Sequence, residues 1–422
     1  MRVHHLGVAV FTLVVAAGSF AGTTSAEGRS TDQVIVQSQR LLQRRPDDPA
    51  AYLRLGDAYI QKSRQTGDLS YLTLAEQALR RSLELAPRSA GAARHLAYVF
   101  ASRHEFREAV AQAEKAIELA PEDSHAYGLL GDALLELGRY DEADQAYRKM
   151  LALDESLYSF ARRSGMQSLR GNPSGAIADL RRAIDAGRSA GEPAESLAWA
   201  QWQLGAEHYA VGDLGSAEGQ YLAALQTYPS YYRALAGLGQ VRAAQERYED
   251  AVDLYRRALA VIPVPEYAAA LGDLYTVLGR IEEAKKSYAL VDYIGRLNLL
   301  SQTVYSRELA SFYADHDIKL DEALAAARSE LLVRRDVFGY DALAWALYKA
   351  GKPGEALDPM REALRLGTRD AKLFFHAGMI YRALGQRAEA RELLARALGI
   401  NRHFHVLYAA VAERTLQELD TP

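Results

Sequence analysis

Small and apolar residues fall in a helical rhythm between residues 124 and 150: Leu130-Gly131, Leu134, Gly138, Ala143, Tyr147 and Met150. Positions three and four apart share one face of a helix, so the stretch reads as two short amphipathic helices broken at Gly138. The same order returns at intervals of about 34 residues. Leu204-Gly205 leads to Gly212, Ala217, Tyr221, Ala224 and Pro229; Leu238-Gly239 to Ala251, Tyr255, Ala258 and Pro263. Leu271-Gly272 leads to Tyr275, Gly279, Ala284 and Tyr288; Leu343-Ala344 to Leu347, Gly351, Ala356 and Ala363; Ala377-Gly378 to Tyr381, Gly385, Ala390 and Ala397.

Each unit is predicted to be an antiparallel helix pair. The small residues, such as Gly131 and Gly205, sit where the first helix meets the second at close range, with Ala143 or Ala217 at the same crossing. A glycine such as Gly138 or Gly385 ends the first helix in a left-handed conformation. Large apolar residues then fill the space between neighbouring units. Units are expected to start near Pro49, Ala90, Ser124, Leu157, Ala198, Tyr232, Pro265, Val304, Val337 and Ala371. Two are degenerate: Arg163-Ser164 replaces the Leu-Gly pair after Leu157, and the first-helix signature fades near Val304. Pro359 falls inside a second helix, where it removes a hydrogen bond.

This constellation resembles the tetratricopeptide repeat (TPR) consensus over nearly all of the chain beyond its N-terminal segment. The resemblance implies an all-α fold, a right-handed superhelical solenoid of about ten hairpins whose concave wall is lined by first helices. The phrases Asp341–Tyr348, Leu366–Ala371 and Phe375–Ile380 further resemble exported bacterial proteins of this kind, common in actinobacteria. That likeness speaks to fold and export rather than to a particular activity. The expected organisation is a signal peptide (1–26), a capping helix (27–47, with Thr31 as N-cap), the repeat array (48–403) and a closing helix (404–422).

The N-terminal segment carries Arg2, an uncharged apolar run from Leu6 to Gly22, and the small residues Thr24-Ser25-Ala26 where a signal peptidase cuts. Cleavage before Glu27 is the reading adopted, with secretion or a place in the periplasm or cell envelope as its consequence. The run also approaches membrane-spanning length, so an uncleaved anchor is the alternative. No later segment is long and apolar enough for membrane insertion. The 422-residue chain is 49% hydrophobic and 25% charged, which suits a folded protein. A formal net charge of −4 supplies no drive toward nucleic acid. With no cysteine, disulfides, thiolate metal sites and a cysteine nucleophile are excluded.

Catalytic and cofactor signatures are missing. Gly351-Lys352 lacks the upstream glycine of a nucleotide loop, and His104-Glu105 is not followed by a second zinc-binding histidine. No Gly-x-Ser-x-Gly elbow occurs. His376, His403 and His405 are the best metal candidate, but no carboxylate or thiol joins them in sequence, so surface or interface histidines are the preferred reading. Asp315-His316-Asp317 is read as an inter-helix turn. No enzyme activity, cofactor or metal is therefore expected.

What the resemblance leaves to define is the groove. Taking the inward positions of each first helix places Trp199, Trp202, Tyr209, Tyr305, Phe312, Phe338, Trp345, Tyr348 and Phe375 on the concave wall. Toward the N-terminus the same positions hold Asp57, Arg94, Tyr98, His125 and Asp132. Aromatic residues are frequent interface anchors, so the expected partner is a protein or peptide held as an extended segment. Packing between units is the competing role for these rings, and 25 tyrosines are too many for all to bind a ligand. A cell-envelope component stacking the same aromatics on a polysaccharide is the rival function. The Lys/Asn carboxylate clamp of chaperone-binding TPR domains is absent, since Leu53, Asp57 and Gly128 stand at its positions.

Overall fold

The computed structural model describes residues 30–300 and 306–421, with the side chains of 297–300 and 306 left out. The expected signal segment and Tyr305 lie outside the described residues. Every regular element among those residues is an α-helix. The chain divides into two compact units, one ending at Arg162 and the other beginning at Arg163.

In the first unit α1 (Thr31–Arg44) precedes three hairpins. They are α2 (Pro49–Thr66) with α3 (Ser70–Leu85), α4 (Ala90–Ser102) with α5 (Phe106–Leu119), and α6 (Ser124–Glu136) with α7 (Tyr140–Leu153). The division between the units falls within α8 (Leu157–Leu169). The second unit continues with α9 (Pro173–Ala190), then α10 (Ala194–Ala210) with α11 (Leu214–Thr227), and α12 (Tyr232–Ala244) with α13 (Tyr248–Val261). There follow α14 (Pro265–Val277) with α15 (Ile281–Leu300), α16 (Ser306–Asp315) with α17 (Leu320–Val333), and α18 (Val337–Lys349) with α19 (Pro353–Leu364). The unit ends with α20 (Ala371–Ala383), α21 (Arg387–Ile400) and α22 (Tyr408–Asp420).

Within the units, hairpin partners pack along their length, and first helices also touch the first helix of the next hairpin: α2 on α4, α4 on α6, α10 on α12, α14 on α16, α16 on α18 and α18 on α20. A row of first helices is thus built in each unit from contacts close in sequence, as expected of stacked repeats.

The glycine of the repeat explains itself at Gly131. A Cβ there would lie 2.3 Å from Cε1 of Tyr147, so only a bare backbone lets α6 receive the tyrosine of α7. The same fit recurs at Gly205 with Tyr221 and at Gly272 with Tyr288. Gly138 closes α6 with φ of 73°, the left-handed conformation expected of it.

Caps set the helix starts. Asp123, Asp336 and Asp370 each accept a backbone N–H at the head of α6, α18 and α20. The cap of α1 is Ser30 rather than Thr31. Gln33 stands three residues beyond Ser30, accepts its backbone N–H at 2.9 Å and donates its own N–H to the serine hydroxyl, a reciprocal box that Thr31 has no partner to make. Pro359 lies within α19, which continues to Leu364. In the degenerate unit, Arg163 and Asp179 form a bidentate pair at 2.7 and 2.5 Å between α8 and α9. The last helix begins at Tyr408 and not at Phe404, because residues 401–407 make tertiary contacts in place of helical ones.

Candidate functional site

In the first unit the inward polar residues satisfy one another. Arg94 reaches both carboxylate oxygens of Asp123 at 3.2 and 3.0 Å, and His95 lies 3.3 Å from Asp57. Asp132 is 2% exposed; it accepts the Tyr147 hydroxyl at 2.9 Å and a bidentate Arg162 guanidinium at 2.9 and 2.8 Å. Burial works against the charge on Arg162, and the Asp132 carboxylate outweighs it. His125 is driven down to about 4 by burial and by the nearby Arg94 and Arg162, so it is neutral at physiological pH. Tyr98 is buried. This face is a largely buried polar network that reaches solvent at Asp57.

The second unit gathers the aromatics. Trp345 stacks on His376 with centroids 4.0 Å apart and on Tyr348 at 4.9 Å, and lies 5.7 Å from Phe375 and 6.0 Å from Tyr408. Phe375 in turn stacks on Tyr408 at 5.1 Å and meets Phe404 at 5.5 Å. Phe338 packs on the same apolar cluster. Phe312 sits between Tyr288 at 5.7 Å and His316 at 4.6 Å. Trp345 is 2% exposed, Phe375 1%, Phe312 5% and Trp199 8%. These four rings are therefore covered in the folded chain, and a partner reaches them only if something moves. Trp202, Tyr209, Phe338 and Tyr348 remain half-buried. The Trp202 ring carries the Arg233 guanidinium 4.9 Å from its centre.

Around these rings runs a line of carboxylates that the sequence reading missed as a group. Asp273 accepts the Tyr288 hydroxyl at 2.8 Å and contacts His316 Nε2 at 2.8 Å, with His405 Nε2 at 3.7 Å. Asp315 accepts the Trp345 indole N–H at 2.8 Å and pairs with Lys372 at 2.9 Å. Burial alone would raise Asp315; Lys372, His376 and His405 override it and hold the carboxyl at about 2. Asp341 pairs with His376 Nδ1 at 2.8 Å. The signal for Asp273 was present in the repeat: Gly272-Asp273 stands in the register of Gly56-Asp57 and Gly131-Asp132. Asp315 ends α16 and His316-Asp317 form the inter-helix turn that was expected, and the Asp315 and His316 side chains also join this network.

His376 and His405 each face a carboxylate, yet among the described residues no group of three or more acids and histidines is arranged to hold a metal ion. No described helix is long and apolar enough to cross a membrane. A cavity of about 480 Å³ opens between the row α10, α12, α14 and residues 402–413, lined among others by Tyr209, Tyr255, Asp273, Phe404, His405 and Glu413.

Near it, Glu207 accepts the Ser168 hydroxyl at 3.1 Å, and burial pushes its carboxyl up to about 7 despite that bond. The folded protein then binds this proton more tightly than the unfolded chain. Stability should be greatest below the unfolded value of 4.5 and fall as pH rises through 7. The full shift corresponds to about 3 kcal/mol, and partial solvent access reduces it to about 1–2 kcal/mol. Glu207→Gln should remove that fall and be the more stable protein at pH 8. Equal slopes of denaturation free energy against pH for the two proteins would contradict the assignment.

Stacked helical hairpins with an aromatic and acidic wall define a helical repeat protein. Family models described as tetratricopeptide repeat match residues 96–157, 203–268, 339–369 and 371–404. The chain carries tetratricopeptide repeats, and proteins built of them generally mediate protein–protein interactions. A Triticum aestivum protein, "Hsp70-Hsp90 organizing protein", is 48% identical over 56 residues, which is 13% of this chain and 10% of that one. The match thus spans about a tenth of the relative's length. Among solved structures, yeast Tom70 aligns with 14% identity over 93% of this chain and 94% of its own, at a TM-score of 0.41. The pilF protein of Pseudomonas aeruginosa aligns with 18% identity over 50% of this chain and 92% of its own, also at 0.41.

Proposed function

We propose that this protein is a non-catalytic scaffold, exported from the cytoplasm, that binds an extended segment of a partner protein along the first-helix row of its second unit. The cavity carries the proposal. It places Tyr209 and Tyr255 beside the Asp273 carboxylate, a mixture of flat apolar area and fixed charge suited to a peptide side chain and its neighbours. The apolar run from Leu6 to Gly22, followed by Thr24-Ser25-Ala26, supports export.

The test is panning of displayed linear peptides against the purified protein, followed by titration of the enriched sequence. Trp202→Ala with Tyr209→Ala should weaken binding about tenfold or more while the protein stays folded, since both rings are half-buried. Failure to enrich any sequence, or equal affinity in the double variant, would refute binding on this row. Retention of cell-wall polysaccharide in place of peptide would transfer the site to the rival glycan function.

A further inference from the structure

We propose that residues 401–406 act as an internal ligand of the second unit, holding the place of a partner peptide recognised by an aromatic residue followed by a histidine. The inference rests on the groove-binding reading above and deepens it.

Four observations converge on this segment. From Phe404 it replaces the first turn of the expected closing helix, so that residues 401–407 connect α21 to α22, and its polar groups bond across the unit. The His403 carbonyl accepts the Tyr209 hydroxyl at 2.7 Å, and Asn401 Nδ2 donates to the Tyr209 carbonyl at 2.7 Å, with more than 190 residues of chain between them. One of these bonds is to the segment's main chain and the other depends on the Asn401 side chain, so Tyr209 grips the turn from both sides. Next, two consecutive side chains meet the two kinds of group that the wall offers. Phe404 lies against Phe375 at 5.5 Å, while His405 Nε2 stands 3.7 Å from Asp273 and its ring 4.8 Å from Tyr408.

The charge of the wall supplies the third observation. Asp273, Asp315 and Asp341 are carboxylates facing this region, and cationic or imidazole groups (Lys372, His316, His376, His405) meet all of them. Burial, Lys372 and His316 work against a charge at the position of His405, so the wall there suits a neutral imidazole beside Asp273. Finally, the segment does not close on the wall as a core element does. Folded interiors leave few voids larger than a water molecule, yet about 480 Å³ stays open between residues 402–413 and α10, α12 and α14. The segment lies across the groove without filling it, whereas α22, which follows, is docked on α21. Residues of α22 (Ala409, Ala410 and Glu413) border the same space, so the motion the proposal requires is a lifting of the segment with α22 held by α21.

An intramolecular occupant competes at the high effective concentration of its tether, so a partner meets only the fraction of molecules in which the segment has lifted. Loosening the segment should strengthen binding in trans. The probe is a labelled nine-residue peptide with the sequence of Ile400–Tyr408, added to the full chain and followed by fluorescence anisotropy. Phe404→Ala with His405→Ala in the chain should bind this peptide at least about tenfold more tightly than the wild type. A peptide with alanine at the Phe404 and His405 positions should not bind, and one with lysine for His405 should bind more weakly than the original, since Lys372 and His316 oppose a charge there. Should the double variant lose its fold, Asn401→Ala removes only one bond to Tyr209 and should give a smaller gain in the same direction.

Equal affinity of wild type and folded variants would overturn self-occupancy while leaving groove binding intact. No binding by any variant would overturn both. A loosened variant that becomes a dimer by light scattering, with the peptide unable to compete, would assign the wall to a second copy of this chain and overturn the partner proposed.

Discussion

Asp132→Ala should destabilise the first unit by about 3–5 kcal/mol, the usual cost of stranding one member of a buried ion pair. The carboxylate is 2% exposed and Arg162 4%, so neither charge has water to fall back on. Four hydrogen bonds end on Asp132: three from the guanidinium and one from the Tyr147 hydroxyl. Alanine removes both acceptor oxygens, leaving a cation and a phenol in an apolar setting. Because the Tyr147 ring is also the one seated over Gly131, its displacement would loosen the α6–α7 hairpin directly. Repeat arrays do not unfold as one step, so the measurement is amide hydrogen exchange on the whole chain. Protection should fall first in α6 and α7, while α18 and α20 in the second unit keep theirs. Asp132→Ala combined with Arg162→Leu should recover part of the loss, since the stranded charge is then gone. A loss below about 1 kcal/mol for the single variant would mean that water reaches Arg162.

The hairpins were legible in the sequence for a physical reason. The starts expected at Pro49, Ala90, Ser124, Tyr232, Pro265, Val337 and Ala371 are observed there, because each is set by residues within one turn: a cap, a proline or the first apolar step. Gly131 and Tyr147 lie within one repeat, and the repeat is what the pattern encodes. The wall was less legible. A first-helix residue faces inward by its register, but whether it meets solvent depends on what crosses it. Here the crossing residues, Asn401 to Tyr408, stand about 190 positions from Tyr209 and 60 from Trp345 and belong to no repeat signature. Trp345 and Phe375 therefore read as groove anchors and prove to be covered. Ser30 was missed as the cap of α1 for a simpler reason: Thr31 is as good a capping residue, and only the partner at Gln33 distinguishes them.

Trp345→Ala should cost about 3–5 kcal/mol and be felt well beyond its own helix. The indole is the centre of a stack of four rings, from His376, Tyr348, Phe375 and Tyr408, drawn from three helices. Its N–H also fixes Asp315, the carboxylate that anchors Lys372 of α20. The Tyr408 hydroxyl reaches the Asp315 carbonyl, so α22 is tied to the same point. Trp202→Ala is the control. That ring is half-buried and its recorded ring contact is Arg233, worth about 0.5–1 kcal/mol. Trp345→Phe should fall between the two, keeping ring area but freeing one oxygen of Asp315. Hydrogen exchange should show α16, α18, α20 and α22 opening together in Trp345→Ala while α2 to α7 remain protected, as nearest-neighbour coupling requires. The same variant should lose its internal ligand as well, because Phe404 leans on Phe375 and Phe375 on Trp345. A stability equal to that of Trp202→Ala would place Trp345 among the accessible anchors of the groove. Unfolding of both units in one step would mean that the array behaves as a single cooperative body rather than as stacked neighbours.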